Sequence, residues 1–197
     1  MNDYARDCAF PLLGSRTYLH GTTLFDAMLE YAPAGAELGF RIPHRIDSDR
    51  VRLVKQASKL VDRSRASLVW TLGDDAGSVV AESLDASDVP ARMDYPENRV
   101  IEGLEITSSS VILRSAMGMS FVSTLIPMFK TLLRDAPVQP MAGQWMFTRL
   151  DVGYPAQDFT PLTLRRDALV PGKLARASIE VGERKAGEIY FSWVTAK

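Results

Sequence analysis

The residues best equipped for chemistry lie close together near the start of the chain, in the run His20-Gly21-Thr22-Thr23-Leu24-Phe25-Asp26. A histidine and a carboxylate are side chains suited to moving protons near neutral pH. Leu24, Met28 and Tyr31 recur at helical spacing behind His20, so the run reads as the opening of a helix. Backbone N–H groups at a helix start lack intrahelical acceptors, and the helix dipole adds about half a positive charge there. Such a place stabilises negative charge developing on an oxygen. Gly21 has no side chain to obstruct a group approaching those amides. The same residues also fit a purely structural role. Thr23-Leu24-Phe25-Asp26 has the spacing of a capping box, with Thr23 as N-cap and an acid three residues on. Glu30, four residues beyond Asp26 on the same side of the helix, is a reserve carboxylate.

The elements that must position these residues occur twice. "RASLVWTLGDDAGSVVAESL" near residue 65 is answered by "RASIEVGERKAGEIYFSWV" near residue 176. Arg65-Ala66-Ser67 matches Arg176-Ala177-Ser178, and Ala76-Gly77 matches Ala186-Gly187. Both are β-rich runs broken by a short polar turn, so each is expected to be a hairpin. Upstream, "HGTTLFDAMLEYA" faces "MGMSFVSTLIPMFKTLL", with Gly21 opposite Gly118. Phe121, Leu125, Phe129 and Leu132 repeat the helical spacing, with Pro127 expected to kink that helix or delay its start. An alternating strand follows each helix, through Phe40, Ile42, His44 and Ile46 in the first half and Trp145, Phe147 and Arg149 in the second. "DASDVPARMDYPENR" separates the halves. The expected organisation is an N-terminal arm over 1–14, a first repeat over 15–84, a linker over 85–100 and a second repeat over 101–197.

This order of elements, with a glycine-led helix in each half, resembles the hotdog superfamily in its fused, double form. The resemblance covers roughly residues 15–84 and 101–194. It implies an α+β double hotdog, two tandem strand–helix–antiparallel-sheet repeats forming one continuous sheet around two central helices. His20-Gly21 before a helix resembles the core-helix start of hotdog acyl-CoA thioesterases, where the amide after the histidine polarises the thioester and a carboxylate activates water. "GTTLFDAM" instead resembles the core helix of the β-hydroxyacyl-ACP dehydratases, where the acid works with a histidine from the upstream loop. Here that loop, "CAFPLLGSRTYL", has no histidine, and removal of an α-proton needs a base. The resemblance therefore implies a hydrolase of acyl-CoA or acyl-ACP thioesters. Asp26 and His20 would be catalytic, with Gly21, Thr22, Thr23 and Glu30 binding substrate. A 3-hydroxyacyl-thioester dehydratase or isomerase is the first alternative, and a non-catalytic acyl-binding or assembly subunit the second.

Other candidates are weaker. "PHRIDSDR" resembles the catalytic loop of the hydratase variant, but it follows the helix here where that loop precedes it, and alternation places His44 on a strand. Opposite His20, Thr22 and Asp26 in the second half stand Met117, Met119 and Ser123, so a second site has lost its histidine and carboxylate. Met117, Met119, Met128 and Phe129 suit core or an acyl tunnel. Cys8, the one cysteine, lies in the expected arm with nothing basic to activate it, and cannot form an internal disulfide. No metal spacing, phosphate loop or serine elbow is present, so neither cofactor nor metal is expected.

Composition sets the outer limits. At 197 residues, 46% apolar and 24% charged, the chain can bury a full core. A net charge of −1 without a basic cluster argues against nucleic acid or an anionic membrane as partner. The longest uncharged run, Ser115 to Phe129, falls short of the roughly 20 residues that span a bilayer. The N-terminus does not read as a secretory signal. A cytoplasmic protein is expected, either a monomeric pseudo-dimer or a homodimer.

Overall fold

The structure, a computed structural model, describes residues 4–56, 64–115, 117–134 and 143–195. The chain divides into two compact units, Met1–Tyr95 and Pro96–Lys197. Among the described residues no helix is long and apolar enough to cross a membrane.

The first unit contains β1 (Ala5–Ala9), β2 (Leu12–Leu13), α1 (Gly21–Leu29), β3 (Glu37–Arg41), β4 (Arg50–Gln56), β5 (Ala66–Leu72), β6 (Asp75–Ser83) and β7 (Arg92–Met93). Its antiparallel sheet runs β1-β4-β6-β5-β3. The apolar stripe of α1, Leu24, Phe25 and Met28, is fully buried, and Phe25 meets Phe40 of β3 edge-on at 5.6 Å. Alternation along the strands sends Val51, Leu53, Leu68, Val79 and Ala81 inward with them. Burying three such side chains on one short helix is worth several kcal/mol, about 1.5–3 each, which a nine-residue helix needs in order to persist.

The second unit contains α2 (Glu97–Glu102), β8 (Leu104–Ile106), β9 (Ser110–Leu113), α3 (Phe121–Leu132), β10 (Gly143–Gly153), β11 (Leu162–Val170), β12 (Leu174–Val181) and β13 (Arg184–Thr195). Its antiparallel sheet runs β10-β13-β12-β11-β9-β8. Phe121, Leu125, Phe129 and Leu132 all turn inward, and Phe129 packs edge-on to Phe191 of β13 at 4.6 Å. Pro127 lies within α3, which begins three residues beyond Gly118, whereas α1 begins on Gly21 itself. Each unit thus packs an apolar helix, α1 or α3, against an antiparallel sheet, as the repeat implies.

Both expected hairpins form. β5 turns into β6 through Gly73-Asp74, and β12 into β13 through Gly182-Glu183. The two glycines have φ of 57° and 61°, values that suit two-residue hairpin turns and that residues with a Cβ rarely adopt. Three expectations need correction. Residues 5–9, expected as an arm, form β1 and pair along β4, because Cys8 and its neighbours supply an extended edge for Val51 to Val54. His44 is not on a strand: β3 ends at Arg41, and His44 sits exposed in a bend before the bridge between Ile46 and Leu19. In β10 a bulge after Phe147 resets the alternation, so Leu150 and Val152 turn inward while Arg149 pairs with Asp151.

Candidate functional site: the start of helix α1

His20 is the N-cap of α1, in extended conformation at φ −80° and ψ 138°, and its side chain does not cap the helix. The Gly21, Thr22 and Thr23 amides therefore open the helix without a capping side chain. The imidazole bends back instead, placing Nδ1 2.7 Å from the Thr22 hydroxyl in a buried contact. His20 is only 7% exposed and Thr22 is fully buried. The main-chain bridge between Leu19 and Ile46 fixes the approach to this turn.

This geometry corrects the capping-box expectation. With His20 as N-cap, Thr23 is already the third helical residue and no acid lies in the first turn. Asp26 falls in the second turn, half-buried, one turn past Thr22 and so about 6 Å from it between Cβ atoms. The helix start thus brings His20, Gly21, Thr22 and Thr23 together, with Asp26 one turn further along the Thr22 side. Glu30 is not brought there. It forms the C-cap of α1, its side chain is 69% exposed, and it pairs with Arg6 of β1 at 3.7 Å. A substrate-binding role for Glu30 therefore has no support from the geometry. Cys8 is likewise elsewhere, on β1. Burial raises its thiol above the ordinary range, Arg6 pulls the other way, and Glu30 and Asp7 add to the rise.

One side chain at the site lay outside the sequence reading. The ring of Tyr95 packs against the His20 imidazole, with centroids 5.2 Å apart and planes tilted by 54°, and the Arg16 guanidinium lies 5.1 Å from the Tyr95 ring centre. The segment leading to Tyr95 is tied down at two points. β7 pairs in parallel with β2, and Arg92 donates to the carbonyls of Gly14 and Arg16 at 2.8 and 3.1 Å. Further back, the Ser87 amide donates to the buried Asp49 carboxylate at 2.8 Å. Burial raises the Asp49 pKa, but the hydrogen bonds from Ser87, that from its own backbone and the charge of Arg50 together hold the carboxyl below its ordinary range. Nothing in "DYP" marks Tyr95 locally, because the contact joins residues 75 positions apart.

The corresponding start in the second unit is built differently. Ser120 is the N-cap of α3 and its hydroxyl accepts from the Ser123 amide at 3.2 Å. N-cap matched to N-cap, Phe121 stands where Gly21 does and Ile126 where Asp26 does, which replaces the Gly21–Gly118 alignment and sets aside Met117, Met119 and Ser123 as counterparts. Phe121 is buried edge-on against Phe159 at 5.5 Å. A capped, phenylalanine-filled helix start without acid or histidine leaves α1 as the polar one.

No protein-family model and no curated protein matches the sequence. Solved structures do. The bifunctional dehydratase–cyclase domain of ambruticin biosynthesis matches with a TM-score of 0.50 at 14% identity, over 90% of this chain and 83% of that one. The chain has the double-hotdog fold. A Lactobacillus plantarum protein provisionally assigned as an oleoyl thioesterase gives a TM-score of 0.49 at 14% identity, over 100% of this chain and 97% of that one. An acyl-ACP thioesterase from Bacteroides thetaiotaomicron VPI-5482 gives 0.49 at 10% identity, over 97% of each chain. At such identities the likeness is one of fold. The choice of chemistry rests on the residues at the α1 start.

Proposed function

We propose that the protein is an acyl-thioester hydrolase whose reaction takes place at the start of α1. The observation that carries this reading is the uncapped helix start, where His20 leaves the first-turn amides uncapped and Asp26 follows one turn later. In this reading the Gly21 and Thr22 amides hold the thioester carbonyl oxygen and stabilise the charge that develops on it. Asp26 takes a proton from water as the water oxygen bonds to the thioester carbon, the C–S bond then breaks, and Asp26 returns the proton to the departing thiolate as the carboxylic acid is released. His20, its Nδ1 committed to Thr22, orients water or substrate. The acyl group arrives on CoA or on an acyl carrier protein, and neither metal nor cofactor takes part.

Dehydration of a 3-hydroxyacyl thioester is the second reading, favoured by the burial of His20 beside the helix start that also carries Asp26. The two are separated by incubating the protein with acyl-CoAs and with 3-hydroxyacyl-CoAs, following free thiol and loss of water. Thiol release from both sets supports hydrolysis. Water loss without thiol supports dehydration, and binding without either product supports an acyl-binding subunit.

A further inference from the structure

The segment between the two repeats does more than connect them. We propose that Tyr95, held by Arg16, is a positioning residue that fixes the His20 imidazole at the α1 start. The inference rests on the reading of that start as the thioester site, although its first test does not.

The imidazole is restrained on two sides. Thr22 Oγ1 engages Nδ1 at 2.7 Å, which sets the rotation of the ring and commits one of its nitrogens. The Tyr95 ring lies against it at 5.2 Å and limits the swing of the imidazole away from that contact. A hydrogen bond to a rotatable hydroxyl tolerates some pivoting of the ring, and the packed Tyr95 aromatic adds a steric limit and about 0.5–1.5 kcal/mol. Tyr95 is in turn fixed. Arg16 lies over its ring at 5.1 Å, and Arg92 closes the 14–16 turn that carries Arg16. The parallel pairing of β2 with β7 and the Asp49–Ser87 hydrogen bond anchor the rest of the segment. These contacts converge on one ring, and that ring belongs to one of only two histidines in the chain.

That count makes the test direct. Side-chain nitrogen shifts of both histidines are recorded at pH about 8, above the ordinary histidine range. Exposed His44 serves as the internal reference for a freely averaging imidazole. His20 in the wild type is expected to show the widely separated nitrogen shifts of one tautomer, Tyr95→Phe to keep them, and Tyr95→Leu to move them toward the averaged pair of His44. A wild-type His20 already averaged like His44 overturns the proposal, with no variant needed. So does a folded Tyr95→Leu protein whose His20 nitrogens are unchanged. Where thiol release is measurable, Tyr95→Leu is expected to lower kcat about tenfold with KM nearly unchanged, and Tyr95→Phe to restore it. A rise in KM alone contradicts the positioning role. If no thioester is cleaved at all, the hydrolase reading fails while the nitrogen shifts still decide the role of Tyr95.

Discussion

His20 Nδ1 stands 2.7 Å from Thr22 Oγ1, a contact from the N-cap of α1 to the second residue of the helix. The N-cap side chain is thereby spent on another side chain and does not cap the helix. Thr22→Val removes the oxygen while keeping the volume, and takes the Thr22 hydrogen bond from the buried imidazole at a cost of about 0.5–1.5 kcal/mol. The expected outcome is a drop in kcat for thiol release of about tenfold or more. Thr22→Ser, which restores the hydroxyl, should recover most of it. Steady-state kinetics on the two variants side by side check this.

Asp49 is 4% exposed and its carboxylate receives the Ser87 amide. Asp49→Ala removes a hydrogen bond to a charged group, and is expected to cost about 1.5–3 kcal/mol of stability. The pH dependence follows from the lowered pKa. Stability from this group is complete above the ordinary value of 3.8 and is lost as pH falls through the lower folded value. Thermal melts of wild type and variant should therefore differ at neutral pH and converge under acid conditions below that value.

The parts of this molecule legible in the sequence are those fixed by local chemistry. The two hairpins announced themselves because a glycine in the turn and the Ala-Gly step after it recur in both halves. The helices were legible from apolar spacing, and the run at the α1 start stood out because histidine, glycine and an acid adjoin a helix start. What escaped depends on partners distant in sequence. "ARDCA" has no strand signature of its own and becomes β1 only because β4 lies beside it. Tyr95 gains its role from His20, far away in the chain. The two glycines misled the alignment of the halves because they do different work. Gly21 is the first helical residue, and Gly118 is a left-handed loop residue at φ 70°. The capping box failed for a related reason, since the histidine before the glycine took the N-cap.

Cys8 should be slow to react. Its raised pKa means less thiolate at any given pH than an ordinary cysteine has. Alkylation by iodoacetamide near neutral pH is expected to run slower than that of glutathione. Cys8→Ser should leave thiol release within about twofold, because β1 does not contribute to the α1 start.

The paired Ala-Gly steps predict a graded cost. A Cβ on Gly77 would overlap the Trp70 indole, and one on Gly187 would overlap the Asp151 carbonyl oxygen. An indole can tilt, but a backbone carbonyl in a ladder cannot move without breaking its strand. Gly187→Ala is therefore expected to destabilise more than Gly77→Ala, with the latter in the range of about 1–3 kcal/mol. Denaturant unfolding of the two variants orders them.

Asp26 lies in the second turn of α1, whereas Glu30 is the C-cap at its far end. Glu30→Gln should leave thiol release within about twofold and remove only an exposed pair with Arg6, worth little in water.

The most direct test of the central claim is thiol release from a panel of acyl-CoAs by the wild type and by Asp26→Asn at matched concentration. Asparagine keeps the size of the side chain and removes the base. The expected result is cleavage by the wild type and a fall in kcat of about a hundredfold or more in the variant, roughly 2.7 kcal/mol of transition-state stabilisation. Equal rates in the two proteins, or a wild type that binds thioesters and releases no thiol, would contradict a hydrolytic site at the start of α1.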